Sequence, residues 1–307
     1  ALTTDGGGAA TVVNASGLKL TTSTVGGALS ATATTGNISN SGALTIAGTA
    51  TFITGAAGSN IILDHASNAF SDSVTLKAGS LGNRTFDDIT FVDSGAVTFQ
   101  TSVDTDADGE LLIDGSTDGA VGGDLSVRSI NGNITQNIAL TVTGTTTLQV
   151  DPSKNITLDN VFNNFQGAVG ITRGNNVALV DAGAIVLGAS IVSGTYGVTA
   201  TSGGDITDTG VLAITGASTF TVAGGQSILL DESSTYSSTV TFVPSSGTIA
   251  AVTINDSDEF ELQALTVTGD LTVTAGDDIT DSDTVTVGGD LSATTDASSG
   301  AINLGTL

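Results

Sequence analysis

The chain of 307 residues contains no cysteine, no methionine and no tryptophan, and it has only two prolines and one histidine. The absence of cysteine excludes disulfide bridges and thiolate metal sites, although it leaves the redox compartment open. No charged and then apolar leader precedes Ala1. We therefore expect the chain to be a fragment of a longer repeat protein or a processed form.

Basic residues are also scarce. The chain has 6 lysines and arginines against 31 aspartates and glutamates, which gives a formal net charge of −25, and no basic residue follows Arg173. A surface this acidic repels nucleic acids and anionic membranes, so we expect neither as a partner and regard multivalent cations as better candidates. No apolar run approaches the roughly 18 residues that a membrane-spanning helix requires.

The chain is rich in apolar residues that alternate with small polar ones. Leu140 and Val142 alternate with Thr141 and Thr143, and because side chains alternate across a strand, the two pairs face opposite ways. Threonine and valine are β-branched, which favours strand over helix. No long stretch has the apolar spacing of an amphipathic helix, so the sequence predicts an all-β protein.

Small polar residues close the apolar segments at a nearly constant spacing. Their positions are Asn14, Asn40, Asp64, Asp93, Asp114, Gln136, Asp159, Asp181, Asp208, Asp231, Asp256, Asp281 and Asn303. The twelve intervals range from 21 to 29 residues and lie near 24. Gly-Asn-Ile-Ser and its variants set a longer period, because their isoleucines, Ile38, Ile134, Ile206 and Ile279, are 96, 72 and 73 residues apart. Fixed periods are typical of repeat architectures.

These periods predict one elongated body over residues 1–307, a right-handed parallel β-helix (β-solenoid) of about 13 coils near 24 residues each. Three coils make a super-repeat of about 72 residues, and the first super-repeat gains an extra coil around Asp114. A row of antiparallel hairpins is the alternative, but it brings like segments together in reversed order. At ~4.8 Å per coil, we expect a body on the order of 60 Å long.

Three phrases carry a resemblance to a known family. They are GNITQNIALTVTG at 132–144, NITLDNVFNNF at 155–165 and VGGDLS at 121–126. They resemble the repeats of filamentous-haemagglutinin-type exoproteins, which are large bacterial surface adhesins, and the resemblance covers essentially the whole chain. It implies a β-helical shaft, secretion to the cell surface, and a role in adhesion or in filament assembly. The implied partners are neighbouring repeats or like shafts, surface glycans or other cells.

The best local motif is D-x-D-x-D-G at 104–109, which begins like a calcium loop. Carboxylates at alternate positions before a glycine turn suit Ca²⁺, a hard cation that takes six to eight oxygen ligands. The candidate ligands are Asp104, Asp106, Asp108, Glu110 and Asp114. Glu110 would bind through its main-chain carbonyl, and Asp114 stands one position before the acid that ends an EF-hand loop. The alternative is an acidic surface corner.

Other functions have less support in the sequence. The regularly spaced aspartates could bind cations, although corner hydrogen bonds to main-chain N–H groups explain them better. A carbohydrate-cleaving or carbohydrate-binding β-helix would use paired carboxylates on one face, but no pair stands out. His65 has no Ser or Cys partner that the sequence singles out, so we expect no enzymatic activity. An ice-binding solenoid is a further alternative, because Thr141, Thr143 and Thr145 could form a flat hydroxyl face.

Calcium should stabilise the fold through the motif at 104–110 beyond the general effect of salt. A ligand that binds only the folded state adds about 2.7 kcal/mol at a hundredfold excess over Kd, whereas sodium chloride only weakens the self-repulsion. We expect millimolar calcium to raise the melting temperature, followed by circular dichroism, more than sodium chloride of matched ionic strength. Replacing Asp104, Asp106 and Asp108 with asparagine should abolish this excess. A triple variant that still responds to calcium would show that the motif is only an acidic corner.

Overall fold

A computed structural model describes residues 1–78, 86–100, 110–114, 119–295 and 300–305. The chain divides into two compact units, Ala1–Asn160 and Val161–Leu307. In both units the described residues form strands and turns, and they contain no helix. It follows that no helix within these ranges is long and apolar enough to cross a membrane.

The strands are short and are numbered in chain order. In the first unit they are β1 (Ala10–Asn14), β2 (Leu18–Leu20), β3 (Ser23–Val25), β4 (Leu29–Ala33), β5 (Ile38–Asn40), β6 (Leu44–Ile46), β7 (Ala50–Thr54), β8 (Ser59–Leu63), β9 (Ala69–Phe70), β10 (Val74–Ala78), β11 (Phe86–Asp93), β12 (Val97–Gln100), β13 (Glu110–Asp114), β14 (Ala120–Val121), β15 (Leu125–Ser129), β16 (Ile134–Gln136), β17 (Thr141–Val142), β18 (Thr146–Gln149) and β19 (Ile156–Leu158). In the second unit they are β20 (Asn164–Phe165), β21 (Val169–Gly174), β22 (Val177–Asp181), β23 (Ile185–Val192), β24 (Tyr196–Ala200), β25 (Ile206–Asp208), β26 (Leu212–Ile214), β27 (Ser218–Val222), β28 (Ile228–Tyr236), β29 (Val240–Pro244), β30 (Val252–Asp256), β31 (Phe260–Leu262), β32 (Leu265–Val267), β33 (Leu271–Ala275), β34 (Ile279–Asp281), β35 (Val285–Val287), β36 (Leu291–Thr295) and β37 (Ile302–Asn303).

The strands form because their side chains alternate between the core and the surface. In β4, Leu29, Ala31 and Ala33 are fully buried, whereas Ser30 and Thr32 are partly exposed. The same alternation recurs in β7, β15, β24 and β33. A period of two places every second side chain in the interior, which confirms the all-β prediction.

Within each unit, strands pair in parallel with strands of the neighbouring coils. The sheets of the first unit have the orders β1-β4-β7-β10-β13-β12-β16-β19, β2-β5-β8-β11-β15-β18, β3-β6-β9 and β14-β17. The sheets of the second unit have the orders β22-β24-β27-β29, β21-β23-β25-β28-β30-β33-β36, β31-β34-β37 and β32-β35, with β26 paired to β23 and β28. Parallel pairing between successive coils is the arrangement of a β-solenoid, so the predicted fold class is confirmed.

The coils are shorter than predicted. In the second unit, Val177 lies beside Tyr196, Tyr196 beside Ser218, and Ser218 beside Val240. These partners are 19, 22 and 22 residues apart. The described residues form about 13 coils with a spacing near 21 residues, so the predicted number is confirmed and the predicted length of 24 is corrected.

The shorter coil also corrects the predicted three-coil super-repeat. A period of 72 residues is not a whole number of 21-residue coils, so equivalent motifs fall on different sheets. Ile38 lies in β5 and Ile134 in β16, which belong to separate sheets of the first unit. Ile206 lies in β25 and Ile279 in β34, again in separate sheets. Stacked positions therefore share a side-chain type, such as Ile134 beside Ile156, and not a whole motif.

The predicted extra coil around Asp114 contributes one extra strand to a single sheet. Strand β13 lies between β10 and β12, out of chain order, and is parallel to both. Leu111 lies beside Val74 on one side and beside Phe99 on the other. Strands β11 and β15 of the second sheet remain direct neighbours at this level. The insertion therefore lengthens one sheet without adding a strand to the other.

Aromatic rings from successive coils pack in the interior of each unit. In the first unit, Phe70 stacks on Phe91 with ring centroids 5.4 Å apart and meets Phe52 edge-on at 6.1 Å. In the second unit, Phe220 stacks on Phe242 at 6.2 Å. Such pairs contribute about 0.5–1.5 kcal/mol beyond the area that they bury.

Some corners of the coils lie so close together that only glycine fits. A Cβ on Gly204 would overlap the backbone of Ala184 in the preceding coil. Gly197, within β24, has much more room, because its nearest neighbour is the Val177 carbonyl oxygen at 3.9 Å from the position of a Cβ. Coil spacing therefore restricts the residue type at the first glycine and not at the second.

Gly204→Ala should lower the free energy of unfolding by about 1–3 kcal/mol, because the two coils must move apart. Gly197→Ala is the matched control and should be neutral or stabilising, because alanine loses less conformational freedom on folding. Urea unfolding followed by circular dichroism measures both. Equal effects of the two substitutions would contradict the close approach.

Candidate functional site

The predicted calcium ligands lie partly outside the described residues. Asp104, Asp106 and Asp108 lie in the range 101–109, which the structure does not describe. Glu110 and Asp114 begin and end strand β13. Among the described residues, no group of three or more His, Asp or Glu side chains is placed to hold a metal ion. The calcium site therefore stays a prediction.

Polar side chains point into the core at the corners of the coils and accept main-chain N–H groups. Asp93 accepts the N–H of Phe70 at 3.1 Å, and Asp181 accepts that of Phe165 at 2.7 Å. Both carboxyls are 1% exposed. Each acceptor belongs to a later corner than its donor, so these bonds join neighbouring coils.

Asparagine and serine occupy similar positions. Asn68 accepts the N–H of Leu44 at 3.0 Å and donates from Nδ2 to the Leu63 carbonyl at 3.1 Å. The Ser234 hydroxyl accepts the N–H of Leu212 at 2.9 Å. The requirement is therefore for an inward-facing acceptor and not for a charge.

Burial changes the protonation of the inward-facing aspartates. Burial raises the pKa of Asp93 and Asp181 above the ordinary 3.8, against the lowering effect of the main-chain N–H groups that they accept. Burial likewise raises the pKa of Asp208 and Asp256 to about 6. Nearby Asp231 and Glu232 add to the rise at Asp208, and Asp258 adds to it at Asp256.

Other aspartates at the regular positions lie on the outside. Asp64, Asp159 and Asp231 are exposed. His65 accepts the N–H of Ser67 through Nδ1 at 3.1 Å, which requires the unprotonated nitrogen. The regular polar positions therefore include inward-facing and outward-facing corners, a distinction that the sequence did not reveal.

Outward-facing acidic residues also bond to the next coil. The Asp205 carboxylate accepts the N–H of Ser227 at 2.7 Å, and the Asp270 carboxylate accepts that of Asp290 at 2.8 Å. Asp124 likewise accepts the N–H of Thr145 at 2.7 Å. Hydrogen bonds to a charged acceptor are stronger than neutral ones. Much of the acidity of the chain thus serves the contact between coils.

The second unit contains a buried oxygen cluster, which consists of Tyr196, Tyr236, Asp208, Ser190 and Ser234. The two phenols are 0% and 5% exposed, and the Asp208 carboxyl is 6% exposed. Neither phenolic oxygen nor Asp208 Oδ2 has a hydrogen-bond partner. The sequence analysis missed this cluster, although these are the only two tyrosines of the chain and each occupies an apolar position in the alternating pattern.

An acidic groove of about 660 Å³ lies along one corner of the second unit. Its acidic lining residues are Asp256, Asp258, Glu259, Glu261, Asp277 and Asp278. The acids lie one above another, because Phe260 stands beside Ile279 and the Asp277 N–H donates to the Asp258 carbonyl at 3.2 Å. The groove is a further location for a ligand that carries positive charge.

Comparison with known proteins identifies a repeat family. Four consecutive segments match the family described as repeats of unknown function (DUF5649), at residues 7–77, 78–172, 174–242 and 249–306. The chain belongs to this family. No curated protein and no solved structure matches the chain. The second DUF5649 repeat is longer than the others, and it contains the inserted strand β13.

The inward-facing aspartates should make this DUF5649 protein less stable as the pH rises. Because the folded pKa of Asp93 is raised, the folded state binds a proton more tightly than the unfolded state, and stability is lost as the pH rises from 3.8 through the raised pKa. Asp93→Asn should keep the bond to Phe70, as Asn68 does in its own corner. The variant should therefore gain thermal stability relative to the parent as the pH rises from 4 to 8.

Asp64→Asn controls for the loss of one negative charge, because Asp64 is exposed. The measurement is the melting temperature of the three proteins across this pH range at constant ionic strength. A difference between the Asp93 variant and the parent that does not change with pH would contradict the linkage.

Proposed function

We propose that the chain is a structural and adhesive shaft of a secreted bacterial cell-surface protein, acting as a rigid spacer or a filament-forming element. The observation that carries this proposal is the parallel register of coil on coil within each unit. Ile206 donates its N–H to Ser227 at 3.1 Å, and Ile228 donates to Ala251 at 3.0 Å. Bonds of this kind join residues about 21 apart, so each coil depends on its neighbours rather than on a distant site.

The use of polar side chains supports the same proposal. Asp205, Asp270 and Asp124 spend their carboxylates on N–H groups of the next coil. Such residues are explained by the architecture, without a substrate. Their charge also makes contact with nucleic acids or anionic membranes unfavourable.

The likeness to filamentous-haemagglutinin-type exoproteins supports the more specific part of the proposal. The GNITQNIALTVTG phrase at 132–144 and the VGGDLS phrase at 121–126 carry that likeness. In such a protein the shaft holds an adhesive region away from the cell, and its partners are like shafts, glycans or other cells.

The acidic groove favours a second candidate function, a carbohydrate-binding or carbohydrate-active β-helix. Glycosidases use two carboxyl groups, one of which has a raised pKa. Asp256 lines the groove, and burial raises its pKa to about 6. Asp258 and Asp277 are stacked one above the other, however, as in a repeated corner. We therefore rank this function second.

A spacer should tolerate the removal of one whole coil. Deleting residues 252–270 moves Leu271 into the position of Val252, its partner in the next coil, so the register is kept. We expect this variant to melt cooperatively, within about 2 kcal/mol of the parent in stability. Expressed in the source cells, parent and variant should both be labelled by antibody on intact cells.

Deleting residues 262–270 is the matched control, because it removes part of a coil and breaks the register. This variant should unfold or fail to reach the surface. Labelling of the parent only after permeabilisation would contradict the surface location. A parent that binds or cleaves an oligosaccharide, with the activity lost in the 252–270 deletion, would favour the second candidate.

A further inference from the structure

The buried oxygen cluster of the second unit spans successive coils. Tyr196 lies in β24, Asp208 in β25 and Tyr236 in β28. The ring of Phe220 meets both phenols edge-on, with centroids 6.1 Å from Tyr196 and 6.3 Å from Tyr236. The aromatic packing therefore fixes both tyrosine rings around one phenylalanine.

The polar groups of the cluster also lie close together. Burial, and then the Asp208 carboxylate, raise the pKa of the Tyr236 hydroxyl, and Tyr196 raises it further. Burial and Asp208 likewise raise the pKa of Tyr196, against the lowering effect of the Ser190 hydroxyl. The two phenols, the carboxyl and the serine hydroxyls thus share one region of the core.

The unpaired oxygens are concentrated in this region. The described residues hold seven buried side-chain oxygens without a hydrogen-bond partner, and four of them belong to Tyr196, Asp208, Ser218 and Tyr236. Ser218 lies directly beside Tyr196 in the next coil. Buried polar groups are normally satisfied, so a group of orphaned oxygens indicates a ligand that bonds to them.

The serines of the cluster have spare lone pairs. Ser190 Oγ donates to the Gly188 carbonyl at 2.9 Å and accepts the N–H of Ile171 at 3.1 Å. Ser234 Oγ accepts the N–H of Leu212. A hydroxyl oxygen has two lone pairs, so each can still face a positively charged ligand.

Charge decides which ligand fits. A buried carboxylate is costly unless a positive charge accompanies it. A protonated Asp208 would need an acceptor for its own O–H, and Oδ2 has no partner. A cation can bond to all of these oxygens at once, whereas a water molecule has only two hydrogens to donate. One carboxylate with neutral hydroxyls balances a single positive charge.

The geometry points to a dehydrated monovalent cation, Na⁺ in the first instance, held inside the second unit by Asp208, Tyr196, Tyr236, Ser190 and Ser234. The cation neutralises the carboxylate and gives the orphaned oxygens a partner. It also joins successive coils in a part of the chain that has no basic residue after Arg173. The site is independent of the calcium motif at 104–110 and of the proposed function.

The test compares sodium chloride with choline chloride at equal ionic strength, because both salts screen surface charge but choline is too large to enter the core. The melting temperature of the 307-residue chain should rise with the logarithm of Na⁺ concentration and remain flat in choline. ²³Na NMR relaxation should show a bound fraction that K⁺ displaces. Asp208→Asn and Tyr236→Phe should each weaken the apparent Na⁺ affinity at least tenfold.

Two control variants remove comparable groups elsewhere. Thr146→Val deletes a buried, unpaired hydroxyl of the first unit, and Asp181→Asn neutralises a buried carboxyl that already accepts two N–H groups. Both should keep the full sodium response. Tyr236→Phe preserves the ring, so the test does not depend on a variant that fails to fold.

Two results would overturn the site. The first is a parent that responds equally to sodium and choline. The second is a Tyr236→Phe variant that loses the same stability in both salts, which would indicate a bridging water molecule in place of a cation.

Discussion

The main-chain hydrogen bond between successive coils is the interaction on which the rest of the structure depends. Ala50 donates to Ser73 at 2.9 Å in the first unit, and Val252 donates to Asp270 at 3.1 Å in the second. Each such bond requires two coils to stay in register over a distance of about one strand spacing. That requirement explains why corners must be small, as at Gly204, and why side-chain types repeat from coil to coil.

The corners are the places where this pattern is incomplete, because a turning backbone leaves N–H groups without a partner in the next strand. An inward-facing oxygen satisfies them in the interior, as Asp93 and Asn68 do. An outward-facing carboxylate satisfies them at the surface, as Asp205 does. The high Asp content of the chain is thus a consequence of the corners, and the net charge of −25 follows from it.

The fold class and the approximate number of coils could be predicted because the period-two pattern and the repeat are directly visible. The coil length could not be predicted so well. Polar residues mark both kinds of corner, so counting from an inward-facing Asp181 to an outward-facing Asp231 mixes two positions in the coil. The buried oxygen cluster was missed for a related reason: Tyr196 and Tyr236 occupy apolar positions, and only packing shows that their hydroxyls meet Asp208.

The two kinds of acidic residue affect the molecule in opposite ways. An outward-facing carboxylate keeps its hydration and gains a charge-assisted bond, so it joins coils at little cost. An inward-facing carboxylate loses its hydration, which is why the pKa values of Asp208 and Asp256 rise to about 6. Asn68 shows that an uncharged residue suffices for the hydrogen bond itself. A charge retained inside the core therefore calls for a further explanation, and at Asp208 a bound cation provides one, since a counter-charge lowers the cost of keeping the carboxylate ionised.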